Sequence, residues 1–289
     1  MDLSQKDWQA VVREAAARAV GEDVGPVDLT SRVAVPLEAR AVATLVAREP
    51  CVVAGMEVAE AVFREVDGGL QWRPIVKDGD RMASGSVAAE VTGSARSILS
   101  GERCALNFLQ RLSGIATLTA DFVRAVQGTK ARILDTRKTT PGLRALERKA
   151  VLAGGGVNHR AGLYDAILMK ENHQVFLPKE KLGEVIQHCR REFPDFPLVV
   201  EADSVDLAIR LLRHPLDRVL LDNMSVEQVA LVIQKRSEMG SQVDLEASGG
   251  VTLERVRELA LTGVEWISVG SLTHSARAID LSLDIQKAP

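Results

Sequence analysis

The chain has 289 residues, 46% of them hydrophobic and 26% charged, which fits a globular protein with room for one large domain or two moderate ones. Its 36 Lys and Arg against 39 Asp and Glu leave a net charge of −3, which excludes a broad electrostatic grip on nucleic acid and makes any anion binding local. Aromatic residues amount to only 3%, too few for the stacking platforms of a single-strand binder.

The opening stretch MDLSQKDWQAVVREAAARAV carries Asp2 and Asp7 and no continuous apolar core. It reads as neither a signal peptide nor a membrane span, and a cytoplasmic location is expected. Trp8, Val11, Val12, Ala15, Ala16 and Ala19 fall at helical spacing and predict an amphipathic helix over 6–20. GEDVGPVDLTS, with Gly21, Gly25 and Pro26, is turn-rich. From about residue 38 to 92, the runs ARAVATLVARE, CVVAG, LQWRPIV and SVAAEVTG surround a helical piece near 55–66 and predict a small sheet with helical cover. SARSILSGERCALNFLQRLSGIATLTADFVRAV then reads as two helices broken near Ser113 and Gly114. Cys51, Cys104 and Cys189 are scattered and read as buried thiols, with no close pair for zinc or redox chemistry.

Beyond residue 130 the texture becomes regular. ARILD, AILMK, PLVVEAD, DRVLLD, VDLEAS and EWISVG recur, each followed by helical periodicity. Runs that are apolar throughout suit strands buried on both faces, and their alternation with helices predicts a parallel sheet closing into a barrel or something near one. Asp135, Lys170, Glu201, Asp222, Glu246 with Ser248, and Gly270 sit at or just past the C-terminal ends of these runs. Any one of them alone is accounted for by a helix cap or a turn, as Ser225 is by the capping box SVEQ. Together they mark the rim where parallel barrels build their sites.

Arg137, Lys138, His159, Arg160 and Lys170 make that rim a pocket for a strongly anionic small molecule. Glu201 and Asp222 would repel such a ligand unless they bind a cation or stabilise a developing positive charge, and magnesium bridging a pyrophosphate meets both demands. SGG at 248–250 and VGS at 269–271 are plain turns or phosphate loops, since glycine lets backbone amides approach an anion closely. GGG at 154–156 reads equally as a flexible link, and His159 as a ligand or as a hydrogen-bonded structural group.

The run LDTRKTTPGLRALERKAVLAGGGVNHRAGLYDAILMKENH, preceded by GERCALNFLQRLSGIAT and followed by LLDNM, LEASGG and ISVGSLTHS, closely resembles the quinolinate phosphoribosyltransferase family, and EDVGPVDLTS is similar to its opening segment. The resemblance implies an α/β fold. An N-terminal α/β sandwich domain would span 1–109, with 272–289 packing against it, and an open, TIM-like parallel α/β barrel would span 110–271. It implies a homodimer with a shared site. Quinolinate would meet Arg103 from the neighbouring protomer, Arg137, His159, Arg160 and Lys170. Phosphoribosyl pyrophosphate and Mg2+ would meet Lys138, Thr139, Lys170, Glu201 and Asp222, with Ser248, Gly249, Gly250, Val269, Gly270 and Ser271 around the 5-phosphate. Lys138, Lys170, Glu201 and Asp222 would be the catalytic groups, with Glu201 and Asp222 nearest the metal. The implied reaction yields nicotinate mononucleotide, pyrophosphate and carbon dioxide. Departures from the family pattern are Glu171 for a common Asp, Cys104 for a common Thr, and QVFLPKEKLG in place of a small-residue turn. The alternatives are a phosphoribosyltransferase of the same fold acting on nicotinate or another small acid, and a non-catalytic anion sensor.

Overall fold

The computed structural model of the chain describes residues 5–288. Asp2 lies outside the described residues. By contacts the chain divides into a barrel unit, Asp121–Lys138 with Gly156–Ser271, and a sandwich unit, the described part of Asp2–Ala120 with Thr139–Gly155 and Leu272–Pro289. Among the described residues, no helix is long and apolar enough to cross a membrane.

In the sandwich unit α1 (Gln5–Asp23) buries Val12, Ala15 and Ala16, one face of the predicted helix. Part of the turn-rich segment is helical. Asp28 caps α2 (Leu29–Ala34), its carboxylate accepting from Ser31 N at 2.9 Å and Ser100 Oγ at 2.9 Å. The alternating runs become β1 (Arg40–Ala47), β2 (Cys51–Val52), β3 (Gln71–Pro74) and β5 (Val87–Ser94), with α3 (Met56–Val66) between β2 and β3. A further short strand, β4 (Arg81–Met82), pairs with β2 and is too brief for alternation to reveal.

The two helices expected after β5 are one, α4 (Ala95–Ala125), 31 residues long. Ser113 is fully buried and its Oγ accepts from Ala54 N at 3.1 Å, while a Cβ on Gly114 would come within 1.9 Å of the Arg277 carbonyl oxygen. The small pair therefore answers close packing inside a continuous helix, where a glycine costs only about 1 kcal/mol. Cys51 and Cys104 are buried as expected, but Cys189 is only half-buried. Burial first, then Asp23, push the Cys104 thiol up to about 11, which disfavours the thiolate form that reacts.

The barrel unit carries β6 (Arg132–Leu134), β7 (Ile167–Met169), β8 (Leu198–Ala202), β9 (Arg218–Asp222), β10 (Asp244–Ser248) and β11 (Trp266–Ser268), each on a predicted run. The helices along this stretch are α5 (Arg144–Ala153, in the sandwich unit), α6 (Glu171–Gln174), α7 (Leu182–Glu192), α8 (Val205–Leu211), α9 (Val226–Glu238), α10 (Leu253–Leu261) and α11 (Ser271–His274). The strands form one parallel sheet in the order β6-β11-β10-β9-β8-β7, with β6 and β7 at its edges, an open TIM-like barrel. All five residues of β8 are buried, as strands covered on both faces require. The capping box at Ser225 is present, with Gln228 N donating to its Oγ at 3.2 Å. Finally β12 (Leu281–Lys287) pairs antiparallel with β1 and completes the four-stranded sheet β12-β1-β5-β3 of the sandwich unit.

Candidate active site

Six parallel strands of one sheet end together, so the residues just past them meet at one rim. After β6 comes Asp135, fully buried, whose Oδ1 accepts from His159 N at 2.6 Å. Asp135 N in turn donates to Val157 O at 3.1 Å. The segment carrying His159 and Arg160 is thereby strapped to the end of β6. Arg137 and Lys138 follow on the exposed side, with Lys138 N donating to Thr136 Oγ1 at 3.1 Å.

Both ring nitrogens of His159 are engaged within the protein. Nε2 lies 3.3 Å from Glu246 Oε2, and Nδ1 accepts from Arg160 N at 2.7 Å. Arg160 is 7% exposed, its Nη1 donates to Ala166 O at 3.3 Å, and its Nε has no hydrogen-bond partner among the described residues. Burial and then the neighbouring Arg137 charge lower its pKa, yet a guanidinium stays charged. Two like charges placed together, one of them desolvated, are costly unless an anion joins them.

Lys170 and the acids form the second cluster. Lys170 Nζ is 3.4 Å from Glu201 Oε2, while Glu201 Oε1 accepts from Glu171 N at 3.0 Å. The Asp-to-Glu departure at 171 thus falls where the backbone makes the bond, and its side chain points to an exposed position. Asp222 has its pKa raised, by burial first and by the Glu201 charge second, while Lys170 and Lys138 oppose the rise. Among the described residues, no group of three or more His, Cys, Asp or Glu gathers to hold a metal. Two interacting carboxylates, one kept reluctant to ionise by burial and by the charge of the other, fit a cation that arrives with its own oxygen ligands.

Ser248 stands opposite Asp222 in the β9–β10 register, and its carbonyl accepts from Asn223 N at 2.9 Å. Gly249 and Gly250 have φ of +90° and +56°, and a Cβ on Gly249 would meet Asn223 Oδ1 at 2.1 Å. Only glycine fits there. Asn223, at φ 54°, also donates from Nδ2 to Asp222 Oδ2 at 2.8 Å. Val269 N donates to Leu134 O at 2.9 Å, joining the segment that leads through Gly270 to Ser271, the first residue of α11, to β6. Of the remaining expected residues, Arg103 is exposed on α4 and Thr139 Oγ1 accepts from Arg144 Nε at 3.0 Å, both in the sandwich unit.

Sequence reasoning missed Asn223, His173 and Arg218. His173 Nδ1 accepts from Lys170 N at 3.0 Å and caps α6. Arg218 Nη1 donates to Glu246 Oε2 at 2.8 Å. A charge inside each of two apolar runs, DRVLLD and VDLEAS, was the available signal for that last pair.

The family models of the quinolinate phosphoribosyl transferase N-terminal and C-terminal domains match residues 28–113 and 115–284. The chain belongs to the quinolinate phosphoribosyl transferase family. Within that family it is 42% identical over 286 residues to the nicotinate-nucleotide pyrophosphorylase (carboxylating) of Mycobacterium leprae, covering 98% of this chain and 100% of the relative. It is 38% identical over 289 residues to the quinolinate phosphoribosyltransferase (decarboxylating) 2, mitochondrial, of Nicotiana glauca, covering 95% of this chain and 82% of that one. The structure of NadC from Streptococcus pyogenes aligns over 100% of both chains with a TM-score of 0.91 and 35% identity.

Proposed function

We infer that this protein is a decarboxylating quinolinate phosphoribosyltransferase of NAD biosynthesis, working in the cytoplasm. Family membership supports the reaction, and the observation that carries the substrate is the pair Arg137 and buried Arg160. Quinolinate bears two adjacent carboxylates, and twin guanidiniums suit it better than they suit a monoacid. Lys170 and, from the partner protomer of a homodimer, Arg103 complete the anion pocket, with His159 behind Arg160.

Phosphoribosyl pyrophosphate lies along Lys138, Glu201 and Asp222, its 5-phosphate toward Ser248, Gly249, Gly250, Val269, Gly270 and Ser271. The quinolinate ring nitrogen forms a bond to the anomeric carbon as the bond to pyrophosphate oxygen breaks. Glu201 and Asp222 stabilise the positive charge that develops on the sugar, and Lys138 and Lys170 offset the charge of the leaving pyrophosphate. The electron pair of the breaking carbon–carbon bond then stays on the ring carbon as the adjacent carboxylate departs as carbon dioxide, and the positive charge of the quaternary nitrogen stabilises that carbanion until it takes a proton. Glu201 and Asp222 are the groups that would hold Mg2+, which when bound neutralises pyrophosphate oxygens. Formation of nicotinate mononucleotide from quinolinate, with nicotinate inert in the same assay, tests this reading; turnover of nicotinate would overturn it.

A further inference from the structure

Glu246 is as inaccessible as Asp135, at 0% exposure on β10 between the apolar neighbours Leu245 and Ala247. An apolar residue would fill that place without the several kcal/mol that desolvating a carboxylate costs. Its Oε2 takes both available contacts, His159 Nε2 at 3.3 Å and Arg218 Nη1 at 2.8 Å, while Oε1 has no partner among the described residues. Arg218 is itself held for this task. Its guanidinium lies over the Trp266 ring at 4.3 Å, and Trp266 Nε1 donates to Asp244 Oδ2 at 2.8 Å. Burial resists ionisation of Glu246, but the hydrogen bond from His159 and the charge and hydrogen bond of Arg218 work against it and lower the carboxyl pKa.

The other side of the imidazole matters equally. Nδ1 accepts the Arg160 amide at 2.7 Å, so it carries no proton, and the ring hydrogen must sit on Nε2 and face Glu246. The charged groups around the ring are Asp135, bonded to the His159 amide, Glu246, Arg218 and Arg160.

We propose that Glu246 is a positioning residue for the dicarboxylate pocket: it fixes His159 in the Nε2–H tautomer, and His159 Nδ1 then holds the Arg160 backbone that aims the buried guanidinium. This rests on the activity inferred above. His159 thereby acts through Arg160, with no ring nitrogen left for the substrate itself.

The test removes the acceptor without stranding a charge. In Glu246→Leu combined with Arg218→Met both members of the buried pair become apolar, a change that generally leaves stability unharmed. The KM for quinolinate should rise about tenfold or more, the cost of a lost hydrogen bond to a charged group, and the KM for phosphoribosyl pyrophosphate should move less than about twofold. Glu246→Gln, which keeps an acceptor toward Nε2, should retain more quinolinate affinity than the double variant. Imidazole 15N spectra of the wild-type protein, assigned with His159→Asn, should show the Nε2–H tautomer. An Nδ1–H or doubly protonated ring, unchanged KM values, or equal rises in both would overturn the proposal. If the double variant does not fold, the wild-type tautomer decides. A wild-type protein that does not turn over quinolinate would sink the inferred activity alone, because the tautomer is read without substrate.

Discussion

Lys170 Nζ stands 3.4 Å from Glu201 Oε2, and the two side chains could hardly differ more in setting, 47% and 9% exposed. A lysine so open to water adds at most about 1 kcal/mol through such a pair, so the pair is a weak source of stability. Glu201→Gln should lower kcat about 100-fold or more, as loss of a preorganised charge at a transition state does. Unfolding free energy should change by less than about 1 kcal/mol. Steady-state kinetics beside a urea melt check both; a large stability loss with modest kinetic effect would make Glu201 a structural residue.

Arg137 lies near enough to Arg160 to help depress its pKa, and both belong to the proposed quinolinate pocket. Arg137→Ala should therefore weaken quinolinate binding by about 2–5 kcal/mol, the cost of truncating one side of a charged, desolvated pair. Binding of phosphoribosyl pyrophosphate should be nearly untouched. Calorimetric titration with each substrate separates the two, and equal losses would contradict the assignment.

Arg103 is exposed on α4 and belongs to the sandwich unit. If it serves a partner's site, mixing inactive Arg103→Ala protein with inactive Lys138→Ala protein should restore activity through hybrid dimers. Absence of recovery, once subunit exchange is demonstrated by mass, would refute the shared site.

Acid stability should depend on Glu265. Burial raises its pKa, but Arg236, Lys130 and the Leu245 amide more than offset this and hold it at about 2, below its ordinary 4.5. A carboxyl depressed in the folded state contributes stability that is fully present above pH 4.5 and fades as pH falls toward 2, here about 3 kcal/mol. Glu265→Gln should lose that amount at neutral pH and flatten the fall in unfolding free energy between pH 4.5 and 2. Urea melts across that window decide it: a variant curve parallel to the wild type would show that Glu265 carries no such linkage.

Why the barrel was readable in the sequence and the helix before it was not comes down to what shapes each pattern. β8 and β9 are covered on both faces, so their runs are apolar throughout and bounded sharply by charge. The rim residues were legible for the same reason, since parallel strand ends coincide in space whatever the loops do. α4 was misread because Gly114 answers the distant Arg277 carbonyl, a contact 163 positions away that local spacing cannot reveal. Pairings were hidden too. That Lys170 meets Glu201 and His159 meets Glu246 depends on the direction each side chain takes from its strand or loop. Asn223 gained its place from a left-handed backbone that seats it against Gly249, a conformation its sequence context only permits.

The measurement that bears most directly on the whole account is release of labelled carbon dioxide from carboxyl-labelled quinolinate, run with and without phosphoribosyl pyrophosphate and magnesium. The account predicts release only when all three are present, and none from labelled nicotinate. Release without phosphoribosyl pyrophosphate, or none under any condition, would contradict it.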